Sequence, residues 1–280
     1  MAQKRVDREQ LLFSSKPLTS FQVESWSYFR GTEARFHSHA SHPLDPSLVA
    51  TMSQEDMNQA AIPLCAEDVH GDNRWLSLHS QFVLECKDKE PDILFVGDSM
   101  VQLMQQYEVW RKLFSPLHAL NFGIGGDTTR HVLWRLENGE LENIKPKVIV
   151  VWVGTNNHEH TAEEVVGGIE AIVQLINRQQ PQAKVVVLGL LPRGERPNCL
   201  REKNRAVNQL LKKSLLKFPN MQFLNVDGDF VHSDGTISHH DMFDYLHLTQ
   251  IGYAKVAKPL YELLIQLLEE TPEEKKVTLA

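Results

Sequence analysis

Cysteine is scarce in this 280-residue chain, where Cys65, Cys86 and Cys199 are the only three. They are widely spaced and match no zinc or redox pattern, so reduced structural thiols in a cytoplasmic setting are expected, with no metal site. Long apolar runs are missing too. No stretch approaches the roughly 18 apolar residues of a membrane-spanning helix, and no charged n-region with an apolar h-region opens the chain, so neither stable membrane insertion nor a secretory leader is expected. Basic charge is not in excess, since 29 Lys and Arg face 36 Asp and Glu for a formal net charge of -7. That balance disfavours nonspecific attraction to nucleic acid or to anionic membrane surfaces. What the chain does have is 42% hydrophobic residues, enough to bury a substantial core.

The composition changes near Met52. Before it, stretches such as Phe36 to Pro43 mix charge and serine without sustained periodicity, so residues 1–51 are expected to form a disordered extension. His37, His39 and His42 invite a metal reading, but a flexible histidine-bearing tail is the expectation. Asp7, Glu9, Glu24 and Glu33 argue against an organellar transit peptide. From residue 52 to 280 a single domain is expected, with a flexible tail from about 270. Apolar runs there alternate with helical segments, the pattern of an α/β fold in which a parallel sheet is covered on both faces. The strands are expected at Asp92–Gly97, His118–Phe122, Val148–Gly154, Lys184–Leu190 and Gln222–Val226. Thr161-Ala162-Glu163-Glu164 reads as a capping box opening a helix that Pro181 stops. Further helices are expected over Leu200–Phe218 and from Thr249 to about Leu268.

The segment Ile93 to Ser99 runs an apolar strand straight into Gly97-Asp98-Ser99. Ligands of an open parallel sheet bind beyond the carboxyl ends of its strands, so the Ser99 hydroxyl is placed where a nucleophile sits. The backbone N–H groups at the start of the following helix can stabilise an oxyanion. Asp244 precedes His247 by three residues, which lets the carboxylate orient the imidazole while the other ring nitrogen faces Ser99. Gly123, Gly125 and Gly126 leave a strand through a cluster in which backbone N–H groups can approach a ligand closely. Asn156 ends another apolar strand in a side-chain amide suited to an oxyanion.

Other features carry less. Gly123-x-Gly125-Gly126 has Thr128 where a dinucleotide fingerprint needs its third glycine. His239-His240-Asp241 implies no fixed metal geometry, because Asp244 is better used by His247. His131, His158 and His160 are alternative bases, with His131 expected one turn into a helix in a packing role. Arg193 is expected at a subunit interface or in a structural salt bridge, with the site rim as the alternative.

In order along the chain, Gly97-Asp98-Ser99, Gly126, Gly154-Thr155-Asn156-Asn157 and Asp244-x-x-His247 resemble the four blocks of the SGNH (GDSL-type) hydrolases. Within that family, the stretch from about Asp68 to Glu270 resembles the catalytic subunits of cytosolic type I platelet-activating-factor acetylhydrolases, notably across Phe114–Asp127 and Val231–Gly235. Met100, Thr128 to His131 and Glu269 to Lys275 look more like the alpha-2 than the alpha-1 type, whereas Gly235 to His240 looks closer to alpha-1. Met52-Ser53-Gln54 resembles the family's usual start, which implies that residues 1–51 extend it from an upstream start or an alternative transcript.

The resemblance implies a flavodoxin-like, doubly wound three-layer α/β/α fold and a metal-independent esterase without a cofactor. It implies Ser99 as nucleophile, His247 as general base and Asp244 as its partner. The oxyanion hole would comprise the Ser99 and Gly126 N–H groups and the Asn156 amide, and the acyl pocket Met100, Thr155 and Leu246. The implied substrate is an ether phospholipid bearing an sn-2 acetyl group. The implied partners are a second copy or a paralogous catalytic subunit, and a WD-repeat lissencephaly protein as regulatory subunit. Two other roles are compatible with the same residues: a binding partner of that WD-repeat protein whose hydrolysis is secondary, and a broader esterase or carbohydrate deacetylase.

Overall fold

The computed structural model describes residues 57–270. The expectations for residues 1–51, for His37, His39 and His42, and for a tail beyond 270 lie outside the described residues. Five strands, β1 (Ile93–Gly97), β2 (Ala119–Gly123), β3 (Val148–Trp152), β4 (Lys184–Leu188) and β5 (Met221–Leu224), form one parallel sheet ordered β2-β1-β3-β4-β5. Among the described residues six α-helices surround it: α1 (Arg74–Asp88), α2 (Ser99–Met104), α3 (Thr129–Arg135), α4 (Ala162–Gln179), α5 (Cys199–Ser214) and α6 (Gln250–Glu269).

The central strands β1 and β3 are apolar without interruption because both faces of the sheet are covered there. Leu94, Val96, Ile149, Val151, Val185 and Val187 face one layer, where they meet Phe82 of α1, Val132 of α3, Ile169 and Ile172 of α4 and Leu211 of α5. Their neighbours Ile93, Phe95, Val148, Val150, Val186 and Leu188 face the other, against Val101 of α2, Trp110, Phe114 and the Tyr253, Val256, Leu260 and Leu264 stripe of α6. Each such side chain contributes about 1.5–3 kcal/mol by leaving water. The result is the expected three-layer, doubly wound α/β/α fold.

The strand bounds differ from the sequence reading for local reasons. β3 ends at Trp152 because Gly154 adopts φ 133°, outside the strand region. β4 ends at Leu188 because the Asn208 side chain of α5 takes over the pairing, accepting from the Leu190 N–H at 2.7 Å and donating to the Leu190 carbonyl at 2.8 Å. His118, expected in β2, sits instead at φ 50° before it, and β5 begins one residue earlier and ends two earlier than expected. The capping box at Thr161 is present. Its hydroxyl accepts from the Glu164 N–H at 3.2 Å and the Glu164 carboxylate accepts from the Thr161 N–H at 2.7 Å. Helix α1 has no counterpart in the sequence reading, and its buried face is carried by only His79, Phe82 and Cys86.

After β1 the chain moves to the edge strand β2 and then crosses back over β1 to β3. This reversal opens a crevice beyond the carboxyl ends of β1 and β3, the topological switch point of a doubly wound sheet.

Candidate active site

β1 enters the crevice through Gly97, where a Cβ would lie 2.0 Å from the Trp152 carbonyl oxygen, so only glycine lets the strand end pass β3 this closely. Asp98 caps α2 by accepting the Met100 N–H at 2.9 Å, and Ser99 is the first helical residue. From this rigid position the Ser99 Oγ lies 3.0 Å from Nε2 of His247, while Nδ1 of His247 lies 2.6 Å from Oδ2 of Asp244. The other Asp244 oxygen accepts the backbone N–H of His247 at 2.7 Å and of Leu246 at 3.1 Å. Burial works to raise the Asp244 carboxyl, but the bonds from the His247 ring and from these two backbone groups outweigh it and hold it below the usual carboxylate range. An ionised carboxylate can only accept. Nδ1 therefore carries the ring proton, and the Nε2 lone pair is left to accept from the Ser99 hydroxyl. Tyr245, in the left-handed region at φ 59°, turns the loop so that residues 244 and 247 meet, and Phe243 stacks on the imidazole with centroids 5.8 Å apart.

The remaining loops bring donors to the same end of the sheet. Gly126 follows β2 with φ 87°. Neither its N–H nor that of Ser99 has an acceptor among the described residues. Asn156, after β3, donates its side-chain amide to the carbonyl of Asp127 at 3.0 Å, which fixes it next to Gly126. Gly125 donates its N–H to Oε1 of Gln102 at 3.0 Å, tying the glycine loop to α2.

Beneath that loop lies a buried ion cluster that sequence reasoning missed. Oδ2 of Asp127 accepts Nε of Arg135 at 2.8 Å and Oδ1 accepts Nε1 of Trp75 at 2.7 Å. Nη1 of Arg135 pairs with Glu140, whose other oxygen meets Nδ1 of His79 at 2.8 Å. Nη2 of Arg135 donates to the carbonyls of Phe122 at 3.1 Å and Gly97 at 3.3 Å, the ends of β2 and β1. Burial lifts the Asp127 carboxyl to about 6 against the pull of Arg135. Burial likewise lifts Asp98 to about 7, with the Met100 N–H opposing and Asp127 adding to the rise. The sequence signal for Asp98 was present in Gly-Asp-Ser, but there it reads equally as a turn residue.

Met100, Thr155 and Leu246, expected at an acyl pocket, line one small cavity together with Asp98, Trp152, Leu190 and Leu191. Arg193 is placed at this site and not in a salt bridge: its Nη1 donates to the Thr155 carbonyl at 2.9 Å and the Thr155 Oγ1 at 3.2 Å, and it makes no ion pair among the described residues. His131 takes the packing role, accepting the Thr128 N–H at 3.2 Å and lying edge-on to Trp75, and burial with Arg130 and Arg135 nearby pushes its ring down to about 4. His160 lies 3.4 Å from the Asn157 amide, away from Ser99, and Asp241 pairs with Lys255 at 2.8 Å. Among the described residues no three His, Cys, Asp or Glu side chains converge as a metal site would require. The thiol of Cys86 is a packing group, donated to the Glu140 carbonyl at 3.3 Å and pushed up to about 12 chiefly by burial.

A serine hydroxyl against an oriented imidazole, with backbone and side-chain donors on loops at the same end of the sheet, is suited to acyl transfer. Comparisons with known proteins agree with that chemistry. Residues 95–255 match the profile of the GDSL-like Lipase/Acylhydrolase family. The chain is 78% identical over 229 residues to the platelet-activating factor acetylhydrolase IB subunit alpha2 of Rattus norvegicus, covering 82% of this chain and 100% of the relative. It is 66% identical to the alpha1 subunit from the same organism, over 78% of this chain and 94% of the relative. Among solved structures, a GDSL-like lipase from Bacteroides thetaiotaomicron superposes with a TM-score of 0.58 at 17% identity, over 67% of this chain and 97% of the other, which shows a shared fold. The chain belongs to the GDSL-like lipase/acylhydrolase family, on the branch that contains the platelet-activating factor acetylhydrolase IB alpha subunits.

Proposed function

We propose that this chain is a serine hydrolase that removes the sn-2 acetyl group of platelet-activating factor and similar short-acyl phospholipids. The observation that carries the reading is the unbroken relay from Ser99 Oγ through the His247 ring to Asp244, at 3.0 Å and 2.6 Å, with a small cavity lined by Met100 and Leu246, the chain neighbours of Ser99 and His247. In the first half-reaction His247 Nε2 takes the Ser99 proton as Oγ attacks the acetyl carbonyl. Asp244 stabilises the imidazolium, and the Ser99 N–H, Gly126 N–H and Asn156 amide receive the oxyanion. The imidazolium then protonates the departing sn-2 oxygen, and the lyso-phospholipid leaves an acetyl-serine. In the second half-reaction water loses a proton to Nε2 and attacks the acetyl-serine. Acetate is released and Ser99 is regenerated without a metal or cofactor.

Met100, Thr155 and Leu246 wall the acyl pocket in this reading. Exclusion by a tight cavity discriminates against longer chains more strongly than apolar affinity, where one methylene is worth only about 1–3 kcal/mol. The relatives are named as IB subunits, which supports assembly with a second copy or a paralogous subunit. A WD-repeat lissencephaly protein is the proposed regulatory partner, and co-elution of the two purified proteins tests that pairing.

A fluorophosphonate probe followed by peptide mapping tests the chemistry. Labelling at Ser99 that disappears in His247→Ala supports the relay, while labelling elsewhere or unchanged labelling in the variant sinks it. Comparing turnover of a 2-acetyl ether phospholipid, an aryl acetate and an acetylated sugar tests the substrate class, and preference for the sugar would overturn it.

A further inference from the structure

Arg193 follows β4 at the carboxyl end of the sheet and is locked between two loops of the active site. Its Nη1 donates to the carbonyl and hydroxyl oxygens of Thr155. The next N–H, of Gly194, donates to the Tyr245 carbonyl at 2.7 Å, inside the turn that joins Asp244 to His247. Arg193 thus meets the cavity wall through its guanidinium, and the base-bearing turn is held by the backbone of the residue that follows it.

Its Nε and Nη2 have no acceptor among the described residues. The neighbouring cations are spent. Lys203 Nζ donates to the carbonyls of Asn157, His158 and His160 at 2.7, 3.1 and 3.1 Å, and Arg201 donates to those of Gly235, Gly194 and Arg193. The acidic groups that act on Arg193 electrostatically are Asp98 and Asp244. Asp244 is committed to His247, and Asp98 is buried on the Met100 N–H. Arg193 therefore keeps a half-buried charge with two free donors. Nε and Nη2 lie along one edge of the guanidinium, the fork that matches two oxygens of a phosphate.

We propose that Arg193 is the phosphate-recognition residue of this site, receiving two non-bridging oxygens of the substrate phosphodiester on Nε and Nη2 while Nη1 stays on Thr155. This rests on the reading of the substrate as an acetylated glycerophospholipid. It assigns Arg193 two effects: it positions Thr155, which acts on every ester, and it binds the anion, which acts only on phospholipids.

The test measures Arg193→Gln and Arg193→Lys in the full chain, with a 2-acetyl ether phospholipid and with uncharged 4-nitrophenyl acetate. The ratio of phospholipid to aryl acetate kcat/KM is expected to fall at least about tenfold in Arg193→Gln, the scale of losing charge-assisted hydrogen bonds. Glycerophosphocholine is expected to inhibit aryl acetate hydrolysis competitively in the wild type, and that inhibition should weaken by a similar factor in the variant. Arg193→Lys, which keeps the charge without the fork, should weaken inhibition severalfold and serves if the glutamine variant does not fold. Equal proportional losses on both esters with unchanged inhibition would mean that Arg193 only braces Thr155, and would overturn the proposal, as would an uninhibited wild type. If the wild type spares the phospholipid yet shows Arg193-dependent inhibition, the substrate reading fails and the anion site stands.

Discussion

The side-chain amide of Asn156 donates to the backbone carbonyl of Asp127 at 3.0 Å, so a candidate oxyanion donor hangs from a residue whose own carboxylate is buried against Arg135. Orientation of the crevice donors is thereby coupled to an ion cluster on the far side of the loop. Through Gly97 and Phe122, Arg135 also holds the strand ends that lead to Ser99 and to Gly126.

Arg135 is therefore expected to act as a positioning residue. Arg135→Met leaves Asp127 and Glu140 without their buried cation and is expected to destabilise the fold by about 3–5 kcal/mol, read from denaturant unfolding. Arg135→Lys keeps a charge but not the four-way bonding. Its kcat for an acetate ester is expected to fall by roughly tenfold to a hundredfold with KM little changed, the signature of lost transition-state stabilisation. A folded lysine variant with wild-type kcat would assign the cluster to stability alone.

Asp98 predicts an inverted pH dependence of stability. Its carboxyl is raised to about 7 in the folded chain from an ordinary 3.8, so over that window the folded state holds a proton that the unfolded state has lost. Stability must then fall as pH rises, the opposite of a salt-bridged carboxylate. Asp98→Asn can still accept the Met100 N–H and removes the titration. Relative to wild type it is expected to gain about 2–3 kcal/mol between about pH 5 and about pH 8. Chemical denaturation at both pH values measures the difference, and a gain that shrinks with rising pH would refute it.

Leu246→Ala enlarges the cavity that Leu246 lines with Asp98 and Met100, the residues flanking Ser99. The ratio of butyryl to acetyl ester kcat/KM is expected to rise about tenfold or more, since each methylene newly accommodated is worth about 1–3 kcal/mol. An unchanged ratio would remove Leu246 from the acyl wall.

Gly123→Ala would set a Cβ 2.2 Å from the Gln102 backbone nitrogen, whereas a Cβ at Gly228 meets nothing within 4 Å. The first is expected to abolish soluble expression or lower Tm sharply, because backbone cannot yield as a flexible side chain does. The second should leave stability within about 0.5 kcal/mol. Equal Tm values would contradict the close packing of α2 on the end of β2.

The strands and most of the helices were legible because burial on both faces forces continuous apolar runs such as Val148 to Trp152, and because Thr161 and Thr249 cap their helices locally. Helix α1 was not legible. Its three buried residues contact partners 40 or more positions away, as Phe82 does in stacking on Phe122 at 4.5 Å, so no local periodicity announces it. The carboxyl end of β4 falls two residues before the expected one because the Asn208 amide that replaces its ladder comes from another element, whereas its start at Lys184 is as expected.

By itself the sequence determined the α/β layering and nominated Ser99, Gly126, Asn156, Asp244 and His247, because each stands at the end of an apolar strand or in a turn of recognisable chemistry. Tertiary structure alone decided that Ser99 meets His247 across 148 residues, that Arg193 faces Thr155 and makes no ion pair among the described residues, and that Arg135, Asp127 and Glu140 bury their charges together. The reason is physical. Strand burial and capping are set by neighbours along the chain, while the pairing of a charge or a hydroxyl depends on which loops the sheet order brings to the same end, a relation that no local pattern encodes.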